Sequence, residues 1–287
     1  MTTILSWVSV DSRGPSSIYI VGDSRITWGT ATVRWDNGRK VFACNTPDIF
    51  GYCGDVLYPT VILGQLGDLI DRKLLWEEGT SAQTRHNTVL EYLKTSFAGR
   101  HRAPEQSFTI IHCARDGESL DSQFFAWTIE YDAKRGDWID TEISVGTPAN
   151  STVLTRLGSG GRALDREINT WKASPQGDTA RAIFSAFCDS LQKEGDKLSG
   201  GVPQIVSLDR RGGGKLVGFV AGETRYLHGL PVQSIPQLEN IEWVDSLFQR
   251  ISPVTLDLLS NAQRHVRIES APNGFARFSK KWFGSKA

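Results

Sequence analysis

Met1-Thr2-Thr3-Ile4-Leu5-Ser6-Trp7-Val8-Ser9-Val10 opens the chain, and Gly22-Asp23-Ser24-Arg25-Ile26-Thr27-Trp28-Gly29 follows its second strand-like stretch. Thr2 is a small residue of the kind that methionine-removing enzymes unmask. Removal of Met1 leaves a hydroxyl and a free α-amine on one residue, and the amine can take the hydroxyl proton through a bridging water. An α-amine with a pKa of roughly 7.7–8.0 keeps a useful neutral fraction near pH 7. Many unrelated proteins begin Met-Thr, so the opening gains its meaning from what stands further along.

Working outward, residues 4–10 and 17–21 read as two strands joined by a Gly14-Pro15 turn. Strand-like stretches follow at 31–34, 40–43 and 49–53. From Asp55 the apolar residues Val56, Val61, Ile62, Leu66, Leu69 and Ile70 recur at three- and four-residue steps, which predicts an amphipathic helix. A second helix is expected over 83–97. Strands are expected at 107–113, 123–131, 138–145 and 152–157, helices at 162–172 and 178–193 with Asp178 as N-cap, and strands at 203–208 and 215–221. Strand runs interrupted by helix pairs suggest stacked sheets with helices on the outer faces. A doubly wound parallel fold would alternate strand and helix singly. One domain is expected over 1–221. The segment 222–287 reads as a linker around Pro231 and Pro236, then a helical extension. Ile241, Val244, Leu247, Phe248 and Ile251 share a helical face there, Ser252-Pro253 opens a further helix, and Arg264, Arg267, Arg277, Lys280, Lys281 and Lys286 make a basic tail. That tail reads either as a solvated end or as a docking segment.

The 287 residues include 32 basic and 32 acidic side chains, so no global field favours nucleic acid or an acidic membrane surface. No apolar run of about 18 residues is present, and the start lacks the charged and apolar regions of a signal peptide. Cys44, Cys53, Cys113 and Cys188 form no C-x-x-C pair and read as free thiols. A cytoplasmic protein is expected. His86, His101, His112, His228 and His265 show no ligand spacing, so neither a metal nor a cofactor is expected.

Several short segments have the makings of chemistry, each with an ordinary alternative. Asp23 at a strand end could cap a turn. Lys40 at a strand start could simply be solvated. Gly51, in Gly51-Tyr52-Cys53-Gly54-Asp55, could present its N–H to an oxyanion or make a tight turn. Gly158-Ser159-Gly160-Gly161 before a helix gathers N–H groups and a hydroxyl, yet such loops are common. Asp196-Lys197-Leu198-Ser199-Gly200-Gly201 repeats that pattern before a strand.

Taken in this order, the segments resemble the proteasome β-subunit family, including the bacterial ATP-dependent peptidase subunit HslV. Thr2-Thr3-Ile4 is similar to that family's mature start, and residues 23–29 to its D-S-R-x-T-x-G segment. Lys40 stands at the place of its active-site lysine, residues 51–55 resemble its G-x-A-x-D turn, and the loops at Gly158 and Asp196 complete the pattern over residues 2–221. The resemblance implies an α+β fold, a four-layer αββα sandwich of the N-terminal-nucleophile hydrolases. It implies Thr2 as nucleophile, its amine as base, and Lys40, held by Asp23, as the charge that stabilises the attacking oxygen. Gly51 would bind the oxyanion, Ser159, Asp196 and Ser199 would orient the amine, and Thr27 would bind an extended peptide by strand addition. Phe42, Ile49 and Cys53 would line an apolar specificity pocket. A peptide or unfolded-protein substrate and a homo-oligomeric ring are implied, and an unfolding ATPase is a partner compatible with the family. Cys53 departs from the family's usual alanine, and 222–287 has no counterpart in the compact bacterial subunit. A threonine endopeptidase is the expectation. An amidohydrolase of a small-molecule amide and a non-catalytic structural subunit are the alternatives.

Overall fold

The structure is a computed structural model describing residues 2–103, 105–233 and 236–268. Residues 3–22 form an antiparallel hairpin of β1 (Thr3–Asp11) and β2 (Gly14–Gly22), with Ile4 opposite Gly22 and Trp7 opposite Tyr19. After a short β3 (Ile26–Thr27) and β4 (Arg34–Trp35) come β5 (Val41–Ala43), β6 (Asp48–Gly54), α1 (Leu57–Asp71) and α2 (Ala82–Ala98). Next are β7 (Phe108–Asp116), β8 (Gln123–Asp132), β9 (Asp137–Ile143), β10 (Thr152–Gly158), α3 (Gly161–Lys172) and α4 (Ala180–Gln192). The described chain finishes with β11 (Gln204–Asp209), β12 (Gly214–Ala221), β13 (Thr224–Leu227), β14 (Leu230–Val232) and β15 (Glu242–Val244). One sheet runs β10-β1-β2-β11-β12-β13-β14, with β15 parallel to β12; another runs β5-β6-β7-β8-β9, and β3-β4 stand apart.

The long strands of the first sheet read as almost unbroken apolar runs because both of their faces are covered. In β1, Ile4 points to Ile20, Ile49 and Ile111, in a cluster that joins the two large sheets. Leu5 and Trp7 point the other way, to Leu164, Phe184 and Phe187 of α3 and α4. On the second sheet, Phe50, Tyr52, Ile110 and Ile129 pack against Ile62, Leu66, Val89 and Leu93 of α1 and α2. Burying each such side chain fully contributes about 1.5–3 kcal/mol. Two helices carry N-caps with the expected chemistry: Ser81 Oγ accepts from Thr84 N at 3.2 Å and Thr179 Oγ1 from Ala182 N at 3.2 Å. Asp178, expected to cap α4, instead lies at φ 64°, one residue before the capping threonine.

The segment after residue 221 differs from its reading as linker and helices. Strands β13 and β14 extend the first sheet from β12, and β15 lies beside β12 with Val217 opposite Glu242. No α-helix follows α4 among the described residues. The apolar residues expected on one helical face separate into different clusters: Val244 and Phe248 pack beneath α4, Leu247 beside Trp171, and Ile251 with Trp243. Phe248 and Leu256 sit at φ 58° and 65°, which a right-handed helix cannot accommodate. Trp243 fits flat against β12 because position 218 is glycine; a Cβ there would lie 2.2 Å from the Trp243 ring. Of the basic tail, Arg277, Lys280, Lys281 and Lys286 lie outside the described residues. Arg267 is described and turns inward, its Nη1 donating to Asp189 Oδ1 at 2.6 Å.

Candidate active site

Asp23 follows the last residue of β2 and is fully buried. Its carboxylate accepts four hydrogen bonds: Thr3 N (2.9 Å) and Lys40 Nζ (2.8 Å) on Oδ1, and Gly200 N (2.9 Å) and Arg25 N (3.2 Å) on Oδ2. Lys40 Nζ also donates to the Arg25 carbonyl. An ammonium has three hydrogens, and among the described residues no acceptor takes the third. Burial pulls the Lys40 pKa below the ordinary lysine value, against the opposing attraction of Asp23. Gln204 holds the lysine's backbone, accepting Lys40 N on Oε1 at 3.0 Å while its amide donates to the Gly38 carbonyl.

A second group lies on the other side of the chain start. Ser159 Oγ donates to Asp196 Oδ2 at 2.6 Å, Ser199 Oγ donates to the same oxygen at 2.8 Å, and Thr3 Oγ1 donates to Ser199 Oγ at 2.7 Å. Burial raises the Asp196 pKa, but the bonds from Ser159, Leu198 N and Ser199 outweigh it and hold the carboxyl below its usual value. The loop at 158–161 reaches this group because β10 pairs with β1, with Gly158 opposite Thr3. Thr2, 1% exposed, is thus next to a residue whose amide shares Asp23 Oδ1 with the Lys40 ammonium. No hydrogen bond joins Lys40 to Thr2 itself.

Sequence reasoning placed Asp23, Lys40, Ser159, Asp196 and Ser199 around the chain start, and the structure brings all five there. It does not bring the remaining residues together as expected. Gly51 lies inside the second sheet, opposite Val41 and Ile111. Tyr52 N donates to Lys40 O at 3.1 Å, and successive strand amides point in opposite directions. The Gly51 N–H therefore points to β7 and serves the ladder rather than an oxyanion. The expected specificity pocket divides for the same reason. Phe42 pairs with Phe50 and packs under α1 and α2, whereas Ile49 and Cys53 point between the sheets. Arg39 stacks over the Phe42 ring at 4.1 Å. The Cys53 thiol is pushed up to about 11 by burial, so it stays protonated and inert. Thr27 pairs with Arg34, and its hydroxyl donates to the Leu198 carbonyl at 3.1 Å, tying β3 to the Asp196 loop.

Three contributors were missed. Arg25 grips Asp36 with two bonds (2.7 and 2.9 Å) and donates to the Lys197 and Ser199 carbonyls, fixing the 196–200 loop. It stood within the quoted 22–29 segment but carried no signal of its own. Gln204 and the Thr3 hydroxyl had no local signal either, because their partners are distant in sequence. Among the described residues, no three His, Cys, Asp or Glu side chains assemble as a metal site, and none of the helices is long and apolar enough to cross a membrane.

No protein-family model and no curated protein sequence matches the chain. Among solved structures it is similar to eukaryotic HslV from Trypanosoma brucei, at 16% identity and a TM-score of 0.43, over 72% of this chain and 99% of that one.

Proposed function

We propose that the chain is a threonine-type endopeptidase of proteasome-like architecture, with its two large sheets and their helix pairs forming a four-layer αββα sandwich. Removal of Met1 supplies the free amine of Thr2. Thr2 Oγ attacks the scissile carbonyl, the amine takes its proton, and Lys40 places a positive charge beside the oxygen, worth several kcal/mol for a unit charge at ~4 Å in a shielded site. Asp23 keeps Lys40 in place. Asp196, with Ser159 and Ser199, orients the amine. A peptide or unfolded protein is the substrate, the working form is a cytoplasmic homo-oligomeric ring, and an unfolding ATPase is the partner to look for.

One observation carries this reading: Asp23 Oδ1 accepts both the Lys40 ammonium and the amide that follows Thr2. A buried lysine with an unassigned hydrogen next to a chain start serves chemistry better than it serves stability. The test is cleavage of fluorogenic peptides by the purified assembly, with native mass spectrometry to count subunits. Turnover that is lost in Thr2→Ala while assembly persists supports the reading. Turnover unchanged in that variant removes it.

A further inference from the structure

We infer that Thr3 is a positioning residue for this reaction, its hydroxyl acting as the link between the two halves of the site; the inference rests on the peptidase reading above. Thr3 is 2% exposed, and its three polar groups are all engaged. Its N–H donates to Asp23 Oδ1 at 2.9 Å, its carbonyl accepts Asp23 N at 3.1 Å, and its Oγ1 donates to Ser199 Oγ at 2.7 Å. The direction of the last bond is fixed by hydrogen counting. A serine hydroxyl has one hydrogen, and that of Ser199 goes to Asp196 Oδ2 at 2.8 Å. Ser199 must then accept from Thr3, and a relay runs Thr3 to Ser199 to Asp196, where Ser159 also converges.

The surroundings have room for this hydroxyl and little else. A Cβ at position 160 would lie 1.8 Å from Thr3 Oγ1 and 3.1 Å from Ser199 Oγ, so the glycine of the 158–161 loop makes space for the relay. Thr3 bonds to both the Asp23–Lys40 pair and the Asp196 group; Arg25 also spans them, from Asp23 and Lys40 to the Ser199 carbonyl, but Thr3 does so from the position next to Thr2. Thr2 is attached to Thr3 by one peptide bond. Fixing the amide, carbonyl and hydroxyl of Thr3 holds the peptide plane that carries the Thr2 Cα and so limits how far the preceding residue can shift from Lys40. Misplacement of a reacting group by about 1 Å can cost roughly 10²-fold in rate.

The test compares Thr3→Val, which keeps the branched shape and removes the hydroxyl, with Thr3→Ser, which keeps the hydroxyl. Wild-type peptide turnover is measured first, because its absence would remove the peptidase reading rather than this inference. Given an active wild type, Thr3→Val is expected to lower kcat by about 10–10²-fold with KM within about twofold. Thr3→Ser is expected to restore most of kcat. Native mass and melting temperature show whether each variant still assembles. Should Thr3→Val fail to fold, Thr3→Ala against Thr3→Ser reads the same hydroxyl. Wild-type kcat in Thr3→Val, a loss seen only in KM, or a Thr3→Ser variant as slow as Thr3→Val would each overturn the assignment.

Discussion

Two buried carboxylate–cation clusters face different parts of this molecule, and they are built from nearly the same ingredients. At the chain start, Asp23 and Lys40 are both fully buried and 2.8 Å apart. Beneath α2, Asp48 is fully buried and meets Arg85 Nε at 3.0 Å and His112 Nε2 at 3.1 Å. The second cluster is closed. Arg85 divides its remaining donors among the carbonyls of Thr80 and Arg115 and the Asp116 carboxylate. His112 Nδ1 lies 3.1 Å from His86 Nδ1, and His86 Nε2 lies 3.0 Å from Asp140 Oδ1. The two imidazoles thus bridge the Asp48 carboxylate to that of Asp140. His86 and His112 stack beside Trp127 and Phe50, and among the described residues neither ring hydrogen-bonds to a hydroxyl. Burial and ion pairing by themselves therefore do not mark chemistry in this protein. The first cluster differs in being tied to the chain start and in leaving an ammonium hydrogen unassigned.

This contrast predicts opposite responses to substitution. Thr2→Ala should lower peptide turnover by roughly 10⁴-fold or more while leaving the melting temperature near that of the wild type; steady-state kinetics beside calorimetry reads both. A variant that melts early but turns over normally would invert the comparison. Asp48→Asn should do the reverse, costing roughly 3–5 kcal/mol by stranding Arg85 and the histidine pair, with the rate per folded molecule unchanged in denaturant titrations and assays. An Asp48→Asn variant of wild-type stability would show that the second cluster is not structural.

A pH series sharpens the same contrast. Burial pulls His86 and His265 down to about 4, with His112 adding to the effect at His86 and Arg181 at His265. Both rings are neutral in the folded chain when the unfolded chain already binds protons, near 6.5. The unfolded state then holds more protons between about 6.5 and 4, so stability falls as pH falls through that window. Urea midpoints at pH 7 and pH 5 should show a lower value at pH 5, and an equal or higher midpoint there would contradict the assignment. The smallest effect is expected at Cys53, whose thiol is protonated and packed between the sheets: Cys53→Ala should leave kcat within about twofold, because the lost group is apolar packing rather than a reacting atom. A large loss of kcat would return Cys53 to the site.

Where burial is two-sided and contacts are sequential, the fold was legible. The hairpin of β1 and β2, the paired helices and the order of the strands follow from residues such as Ile4, Leu5 and Trp7, whose faces are both covered. Residues 241–251 were misread because apolar side chains spaced by three and four mimic a helix when they are in fact shared among three clusters. Position 218, far away in sequence, decides that outcome by admitting Trp243. In the site, the carboxylates, lysine and serines each had an ordinary alternative when taken singly, and it was the resemblance carried by their ordered segments that singled them out. The direction of the Gly51 amide and the opposed faces of Phe42 and Cys53 were not legible, since both depend on strand register. The Thr3 hydroxyl went unnoticed because its partner Ser199 is supplied by a loop at the other end of the domain.

Intact-mass and peptide-mapping spectrometry of the purified assembly, before and after an epoxyketone that condenses with both hydroxyl and amine, tests the central claim most directly. The account predicts a chain lacking Met1 that gains one inhibitor on Thr2 as peptide turnover disappears. A fully active chain that keeps Met1, or an inhibitor bound at any other residue, would contradict it.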